Sequence, residues 1–373
     1  MRVAQMTWYR SSNYGSVLQA YALQRVLESF GAQAELVNYD PAPYQQRNQS
    51  KLRKSTPWRF ARETQQRLMG EAPFKSAVKD AAFSEFLAER MRETTPVATE
   101  ADFRTLNDRF DAFVCGSDQI WSPRCFDPRY FLDFVAPSKR RVAYAPSLGC
   151  DELSDEAAAA MAPLVADFDC LSAREEAGGR MIERLSGKPC PVVVDPVVLL
   201  ARTDWESVAD VGAAPSAPYC LCYFLGRSKE NWAHASATAK ARHLDLMTVP
   251  VFNGDARREG AVPEDVGPEQ FLGLVSRAAH ICTDSFHGLV FATLFERDVT
   301  VYERFKAGAA ASQNVRIESY LKATGLEDCI VRRGATAVPP DPYARSIAYD
   351  AVRRRIGERR AASLDYLRSA LGA

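Results

Sequence analysis

Apolar residues with strand spacing and with helix spacing alternate along the first forty positions of the chain. A strand is predicted over 2–7, a helix with apolar positions three and four residues apart over 16–30, and a second strand over 34–39. The loop before the helix is rich in Ser, Asn and Gly, and Gly31 follows the helix. This order is typical of a βαβ unit, which begins a parallel sheet.

The alternation continues to about residue 200, with one interruption. Residues 45–95 are polar, rich in Arg and Lys and without a strand pattern, so we predict a helical insertion in the first domain. Beyond it, strands are predicted over 111–115, 141–144, 168–172 and 191–194, and helices over 154–166 and 174–185. These strands repeatedly end before polar turns, which is where ligands bind in open α/β sheets.

A stretch rich in Pro, Ala and Gly over 211–218 is predicted to link this half to a second α/β half. There, strands are predicted over 219–225, 246–252, 280–283 and 298–302, and helices over 229–242, over 268–278 and from about 287. The Arg-rich tail 341–371 has a helical pattern and is long enough to cross back over the first half. We therefore expect an α/β fold of two Rossmann-like domains facing a cleft, with segments 1–210, 211–340 and a returning helix in 341–373.

Composition and charge narrow the possible functions. Hydrophobic residues make up 47% of the 373 positions and charged residues 25%, the balance of a folded globular protein. Lys plus Arg equals Asp plus Glu at 47 each, so no overall positive charge favours nucleic acid or an anionic membrane. Neither a signal peptide nor a run of about 18 apolar residues occurs, so we expect a cytoplasmic protein, at most peripheral to a membrane.

Neither the insertion nor the cysteines indicate a particular ligand or metal site. The positive charges of 45–95 are typical of a solvated helix face, although a basic patch would also suit a phosphorylated or lipid-diphosphate acceptor. The nine cysteines are scattered, mostly in apolar strand-like runs, and lack the His and Cys spacing of a zinc site. We expect reduced thiols and no structural metal.

The strongest chemical signal is the segment 282–292, where small polar residues and a histidine stand between an apolar strand and an apolar helix. Free N–H groups and the positive end of the helix dipole attract phosphate or carboxylate at such a helix start. Ser285 could cap the helix or donate to a phosphate, Gly288 permits a close approach, and His287 is a candidate catalytic residue. The alternative is an ordinary capped helix whose histidine makes local hydrogen bonds.

A second signal follows the predicted strand 168–172. Arg174 stands at the strand end, where a guanidinium can hold a carboxylate or phosphate through two hydrogen bonds. The alternative is a surface ion pair with Glu175 or Glu176.

The turn after the strand 111–115 carries a third signal. Asp118 could accept a sugar hydroxyl or act as a base, with Gln119 beside it, and Trp121 offers an aromatic face to a sugar. The alternative is a turn stabilised by the aspartate side chain next to a core tryptophan.

The loop after the first strand carries Asn13, Tyr14 and Gly15 before the first helix. Its single glycine does not make the GxGxxG fingerprint, so binding of NAD or FAD is not expected. The chain also lacks a Walker loop, a GxSxG elbow and an HExxH motif, which leaves kinase-like, esterase and zinc-protease chemistry without their parts.

In their order along residues 1–330, these motifs resemble the polysaccharide pyruvyl transferase family. The resemblance rests on the segments 13–15, 116–121, 172–175, 194–196 and 283–288, and on Asn314 with Arg316 and Ile317. It implies a GT-B-like pair of domains and transfer of a pyruvyl group from phosphoenolpyruvate to a sugar of a bacterial cell-surface glycan, such as an exopolysaccharide, or its precursor. The product would be a ketal, and phosphoenolpyruvate would be a co-substrate with no further cofactor.

Roles for individual residues follow from this resemblance. It implies that Arg174 and His287 contact phosphoenolpyruvate, with His287 as general acid or base. The second domain is expected to be the donor side. Asp118 would deprotonate or orient the acceptor on the first domain. The remaining candidates are Ser285, Gly288 and Arg316 for the donor, and Asn13, Tyr14, Gly15, Gln119 and Trp121 for a sugar, oligosaccharide or lipid-linked glycan acceptor.

One departure from the family pattern bears on the donor. Some members carry an Arg two residues before the His, where this chain has Ser285, so another cation such as Arg316 or Arg277 would have to compensate. Two other functions fit the same pattern: a GT-B-like glycosyltransferase that binds a nucleotide sugar at the same helix start, and a glycan- or anion-binding relative without catalysis.

Overall fold

The structure of the protein is a computed structural model that describes residues 1–41, 72–306, 312–334 and 347–372. Residues 45–71 of the predicted insertion and residues 341–346 of the predicted tail lie outside this part. The described residues form two compact units. The first unit comprises 1–41, 87–200 and 354–372, and the second comprises the rest. The chain passes from the first to the second unit after Leu200, earlier than the predicted boundary at 210.

Nine strands occur in the described part of the chain. They are β1 (Arg2–Met6), β2 (Gln33–Leu36), β3 (Ala112–Cys115), β4 (Arg140–Ala143), β5 (Tyr219–Tyr223), β6 (Asp245–Thr248), β7 (His280–Thr283), β8 (Asp298–Tyr302) and β9 (Ile330–Val331). The first unit holds a four-stranded sheet in the order β2-β1-β3-β4, and the second a five-stranded sheet in the order β6-β5-β7-β8-β9. All pairings between these strands are parallel. The predicted fold class, two Rossmann-like α/β units, is confirmed.

Twelve α-helices accompany these strands in the described residues. They are α1 (Tyr14–Ser29), α2 (Ala77–Arg90), α3 (Glu100–Arg109), α4 (Asp155–Ala166), α5 (Glu176–Ser186), α6 (Pro196–Leu199), α7 (Arg202–Glu206), α8 (Lys229–Ala241), α9 (Pro268–Arg277), α10 (Phe286–Leu294), α11 (Val315–Thr324) and α12 (Tyr349–Leu371). Helix α2 lies within the predicted insertion, and none of the helices described is both long and apolar enough to cross a membrane.

The predicted strands 168–172 and 191–194 form isolated bridges rather than strands. Cys170 pairs in parallel with Val142, and Ala173 pairs with Val192. The amide of Ala173 donates to the carbonyl of Pro191 at 3.1 Å, so the sheet of the first unit continues beyond β4 for single residues only. Proline at 191 has no N–H to donate, which removes one bond of a regular ladder.

Helix α1 begins where the sequence places a cap. The side chain of Asn13 accepts a hydrogen bond from the amide of Ser16 at 3.2 Å. Thirteen residues of the helix are buried, including polar Gln19 and Gln24, because α1 packs between the sheet and α6. Nε2 of the Gln19 side chain donates to the carbonyl of Trp8 at 3.1 Å and so fixes the loop after β1.

All but the first five residues of helix α12 belong to the first unit. Ser363 accepts a hydrogen bond from the amide of Val194 at 3.0 Å, and the Tyr366 hydroxyl donates to the carbonyl of Ala143 at 3.4 Å. These contacts place the helix over the β4 edge of the sheet.

Candidate functional site

In both sheets the strand order reverses next to the first strand of the unit. The chain runs from β1 outward to β2 and then returns to β3 on the other side, and β5, β6 and β7 repeat this order. Ligands of open α/β sheets bind at the carboxyl ends of the strands at such a reversal. Ligand sites are therefore expected at the carboxyl ends of β1 and β3 in the first unit and of β5 and β7 in the second.

The second unit has a cavity of about 530 Å³ at this position. Its walls come from the turn after β5, the residue after β7, and the loop after β8. Among the described residues, three arginines line it, Arg227, Arg304 and Arg333, together with one carboxylate, Asp284. An excess of positive charge in a recess favours an anionic ligand.

Helix α8 adds its amino end to the cavity. Ser228 is the cap of this helix and accepts a hydrogen bond from the amide of Asn231 at 3.2 Å, and both residues line the cavity. The guanidinium of Arg227 lies 4.6 Å from the centre of the Phe252 ring. The positive end of the helix dipole and the arginine charges act in the same direction.

Arg304 follows β8 and is the most buried of the three arginines. Its Nη2 donates to Oε1 of Gln313 at 2.9 Å, and its carbonyl accepts from Arg333 at 2.9 Å. Its Nε is buried and has no acceptor among the described residues. Burial lowers the pKa of Arg304, against the influence of Asp284. A bound anion would supply both the acceptor and the countercharge.

Asp284 closes the cavity from the end of β7. Its two carboxylate oxygens accept the amides of Leu225 at 2.6 Å and of Gly226 at 2.9 Å. Burial raises the pKa of Asp284, and Arg304 and these two amides oppose that rise. A Cβ on Gly226 would lie 2.5 Å from Oδ2 of Asp284, so only glycine permits this approach.

The predicted helix start lies next to Asp284. Ser285 caps α10 by accepting a hydrogen bond from the amide of Gly288 at 3.3 Å. A Cβ on Gly288 would lie 2.6 Å from Oγ1 of Thr283, so this glycine makes room for the chain itself. His287 is the second residue of α10 and is 7% exposed. The capping alternative accounts for Ser285 and Gly288, and donor contacts of all three residues stay predictions.

The two cations named as replacements for an arginine at 285 have different positions. Nη2 of Arg316 donates to Oε1 of Gln313 at 3.0 Å, the same oxygen that accepts from Arg304, so Arg316 lies beside the cavity. Arg277 is exposed at the end of α9, just before β7 begins. It therefore lies at the amino edge of the sheet, and the suggestion that it compensates for Ser285 is wrong.

Sequence reasoning missed Arg227, Arg304 and Arg333. A signal existed for Arg227 and Arg304, because each follows a strand that the sequence predicts, 219–225 and 298–302. Arg333 likewise follows β9 by two residues, but no strand is predicted there. A cation at the carboxyl end of a parallel strand is a candidate ligand in its own right.

In the first unit the turn after β3 holds Asp118 at the reversal of strand order. Oδ2 accepts the Ser16 hydroxyl at 2.6 Å, and Oδ1 accepts the amide of Gln119 at 2.9 Å. Gly116 has φ +120°, and a Cβ there would lie 1.9 Å from the Tyr144 carbonyl oxygen. Asp118 is 6% exposed and is positioned by residues on both sides of the reversal.

Arg174 forms a buried ion-pair network rather than a surface pair. Nε donates to Oε1 of Glu175 at 2.9 Å and Nη1 to Oδ2 of Asp195 at 2.6 Å, with side-chain exposures of 3% or less for all three. Burial by itself would lower the pKa of Arg174, but Glu175, Asp195 and then Asp118 raise it above its usual value. Its charge is thus already compensated within the first unit, while His287 belongs to the second.

Trp121 is not an acceptor platform. It is 0% exposed, its ring stacks on Phe131 at 4.8 Å, and its Nε1 donates to the Tyr130 carbonyl at 3.0 Å. The prediction that it stacks on a sugar is therefore wrong, since both faces of the ring lie in the core beside Phe168.

The other acceptor candidates have structural contacts in the first unit. Asn13 caps α1, and Tyr14 and Gly15 are buried in its first turn. Gln119 packs against Gly149, where a Cβ would lie 2.1 Å from its Nε2. Acceptor contacts of these four residues stay predictions. No cluster of His, Cys, Asp or Glu suited to a metal occurs among the residues that the structure describes.

Fold and site together define a protein of two parallel-sheet α/β units, one with an arginine-lined cavity and one with a buried aspartate at the sheet reversal. The sequence profile of the polysaccharide pyruvyl transferase family matches residues 13–303. The chain belongs to this family, and the resemblance seen in the sequence is confirmed.

The other comparisons concern curated proteins and solved structures. No curated protein matches the chain. UDP-GlcNAc 2-epimerase from Methanocaldococcus jannaschii has a TM-score of 0.48 at 10% identity, over 96% of this chain and 92% of that one. Heptosyltransferase WaaC of E. coli with ADP has a TM-score of 0.40 at 11% identity, over 98% and 99%. Identities this low do not assign an activity.

Proposed function

We propose that the protein transfers a pyruvyl group from phosphoenolpyruvate to two hydroxyls of a sugar in a cell-surface glycan or its precursor. The observation that supports this most is the cavity of the second unit, where Arg227, Arg304 and Arg333 meet the amino end of α8. Phosphoenolpyruvate carries a phosphate and a carboxylate, and both are anions that such a recess binds. The family membership supports the same donor.

In the proposed reaction, a proton is added to the methylene carbon of phosphoenolpyruvate, and C2 becomes the electrophile. A first sugar hydroxyl forms a C–O bond to C2 and releases its proton. The bond from C2 to the phosphate oxygen then breaks, and a second hydroxyl closes the ketal. One hydroxyl proton balances the proton taken by the methylene carbon, and the other leaves with inorganic phosphate. We assign the proton transfers of these steps to acid–base groups of the chain.

We assign the proton donor role to His287, because an imidazole can both donate and accept a proton and the residue follows cavity-lining Asp284 by three positions. Arg304, with Arg316 beside it through Gln313, replaces the cation that Ser285 lacks. Asp118 is the proposed base for the acceptor. In this proposal Arg174 is a positioning residue, since its guanidinium holds Glu175 and Asp195.

A glycosyltransferase that uses a nucleotide sugar is the second candidate. The same cavity also fits this candidate, because a recess of about 530 Å³ lined by three arginines accommodates the diphosphate of a nucleotide sugar. The sugar nucleotide and phosphoenolpyruvate would then compete for Arg304.

The test is an assay with phosphoenolpyruvate and a panel of sugar acceptors, with release of inorganic phosphate and the pyruvyl ketal measured together. We expect both products from the wild type and a loss of about 100-fold or more in His287→Gln with the fold intact. Turnover of a nucleotide sugar without use of phosphoenolpyruvate would establish the second candidate. Binding of phosphoenolpyruvate without any transfer would indicate a non-catalytic relative.

A further inference from the structure

The first unit contains a second cavity, of about 340 Å³, that none of the predicted site residues lines. The loops after β1 and β2 form it at the carboxyl edge of the sheet, together with residues 125 and 130. Its volume is at the lower end of the range of about 300–1,000 Å³ that small-molecule sites occupy, so a small ligand fits better than a long polymer segment.

Aromatic rings form the walls of this cavity. Trp8 and Tyr39 are both partly exposed, and each contacts the buried ring of Tyr130 edge to face, with ring centres 6.2 and 5.9 Å away. The Tyr39 hydroxyl donates to Oδ2 of Asp127 at 2.9 Å, which fixes the orientation of that ring. Rigid aromatic faces of this kind pack well against the C–H face of a pyranose ring, because both surfaces are apolar.

The charges that the described residues place around the cavity favour an uncharged ligand. Among those residues, one cation, Arg10, and one carboxylate, Asp40, line it. Nη2 of Arg10 already pairs with Oε1 of Glu93 at 3.2 Å. The cavity of the second unit has an excess of positive charge, so the two cavities favour different classes of ligand.

The cavity is also connected to the turn that carries Asp118. Thr7 lines the cavity, and its hydroxyl donates to the carbonyl of Ser117 at 3.1 Å. Asp118 is the next residue. A ring held against Trp8 therefore lies in the same loop region as the proposed base.

We propose that this cavity binds one terminal pyranose ring of the acceptor, with its C–H face on Trp8 and Tyr39 and its hydroxyls toward Arg10, Ser11 and Asp40. Only the identification of that sugar as the acceptor rests on the proposed function. Sugar binding to the cavity can be measured without it. It replaces the platform that Trp121 does not provide.

The experiment is saturation-transfer NMR with the full chain and a panel of neutral methyl hexopyranosides, without phosphoenolpyruvate. Transfer to the ring C–H protons of at least one sugar is expected in the wild type. Trp8→Ala should weaken this binding by at least about tenfold, whereas Trp8→Phe keeps an aromatic face and should retain most of it. Ser11→Trp adds a bulky ring at the exposed rim and should also block the cavity, and exposed Ser138→Trp in the same unit is the matched control.

The outcomes separate this inference from the proposed function. Sugar binding that survives in Trp8→Ala and Ser11→Trp, or no binding of any sugar to the wild type, overturns the site. Displacement of the sugar by inorganic phosphate in Arg304→Met, in which phosphate binding to the cavity of the second unit is weakened, overturns the neutral character of the site. Sugar binding that depends on Trp8, in a protein that never uses phosphoenolpyruvate, supports the site and contradicts the transfer. Pyruvyl transfer with an unchanged acceptor KM in Trp8→Ala supports the transfer and contradicts the site.

Discussion

The buried network around Arg174 permits a prediction that separates a structural role from a donor-binding role. In Arg174→Ala, the carboxylates of Glu175 and Asp195 remain buried, at 3% and 1% side-chain exposure, and lose the guanidinium between them. Removing one partner of a buried ion pair costs about 3–5 kcal/mol, because a charge stays buried without compensation. We therefore expect the free energy of unfolding to fall by about that amount.

The assay is urea unfolding followed by circular dichroism, with Arg180→Ala as the matched control. Arg180 lies on α5 and pairs with Glu176 at 4.0 Å, but their side chains are 66% and 60% exposed. The control should therefore change stability by no more than about 0.5 kcal/mol. Adding Asp195→Asn to Arg174→Ala should recover part of the loss, since it removes one of the two orphaned charges.

The reasoning would be refuted if Arg174→Ala unfolded like the control. An unchanged stability together with loss of phosphoenolpyruvate binding would show that the guanidinium is a donor ligand, as the family resemblance implies. A large loss of stability with donor affinity retained in the folded fraction is the result that the network predicts.

Three further predictions concern single side chains. Gly226→Ala should weaken anion binding by about tenfold or more in a calorimetric titration, because its Cβ would lie 2.5 Å from Oδ2 of Asp284 and 3.0 Å from Arg304 Cγ; unchanged affinity would contradict the close approach. The raised pKa of Asp284 means that the folded state retains its proton to higher pH, so stability should fall as pH rises from the ordinary aspartate pKa through the raised value. The urea midpoint of Asp284→Asn should not show that decline with pH. A pH profile identical to that of the wild type would contradict the raised pKa of Asp284. Trp121→Ala should lower the free energy of unfolding by about 3–5 kcal/mol, while a stable variant with an altered acceptor KM would restore its sugar-binding role.

The sequence predicts most elements of both units because local signals and tertiary structure agree in them. Asn13 caps α1 and Ser285 caps α10, and the strands before them end within a residue or two of the predicted positions. The edge segments 168–172 and 191–194 were predicted as strands from their apolar character. Pro191 lacks an N–H, and the segments pair at single residues only, so they form bridges instead of strands. The apolar composition of a segment does not indicate how many of its residues will pair.

The candidate site was predicted less completely, because it depends on residues that meet only in the fold. Trp121 follows a polar turn like a ligand residue, yet Phe131 and Phe168 enclose it from later segments. Arg304 and Arg316 come together through one oxygen of Gln313, a contact that no spacing pattern indicates. Long-range contacts of this kind decide which polar residue becomes a ligand and which stabilises the core.

The measurement that tests the central claim most directly is calorimetric titration of phosphoenolpyruvate into the wild type, Arg304→Met and Arg277→Met. Loss of one charge-assisted hydrogen bond costs about 1.5–3 kcal/mol, so Arg304→Met should bind about 10- to 150-fold more weakly. Arg277→Met removes the same charge from the amino edge of the same sheet and should bind like the wild type. No binding to the wild type, or equal affinity in Arg304→Met, would contradict the assignment of this cavity to the donor.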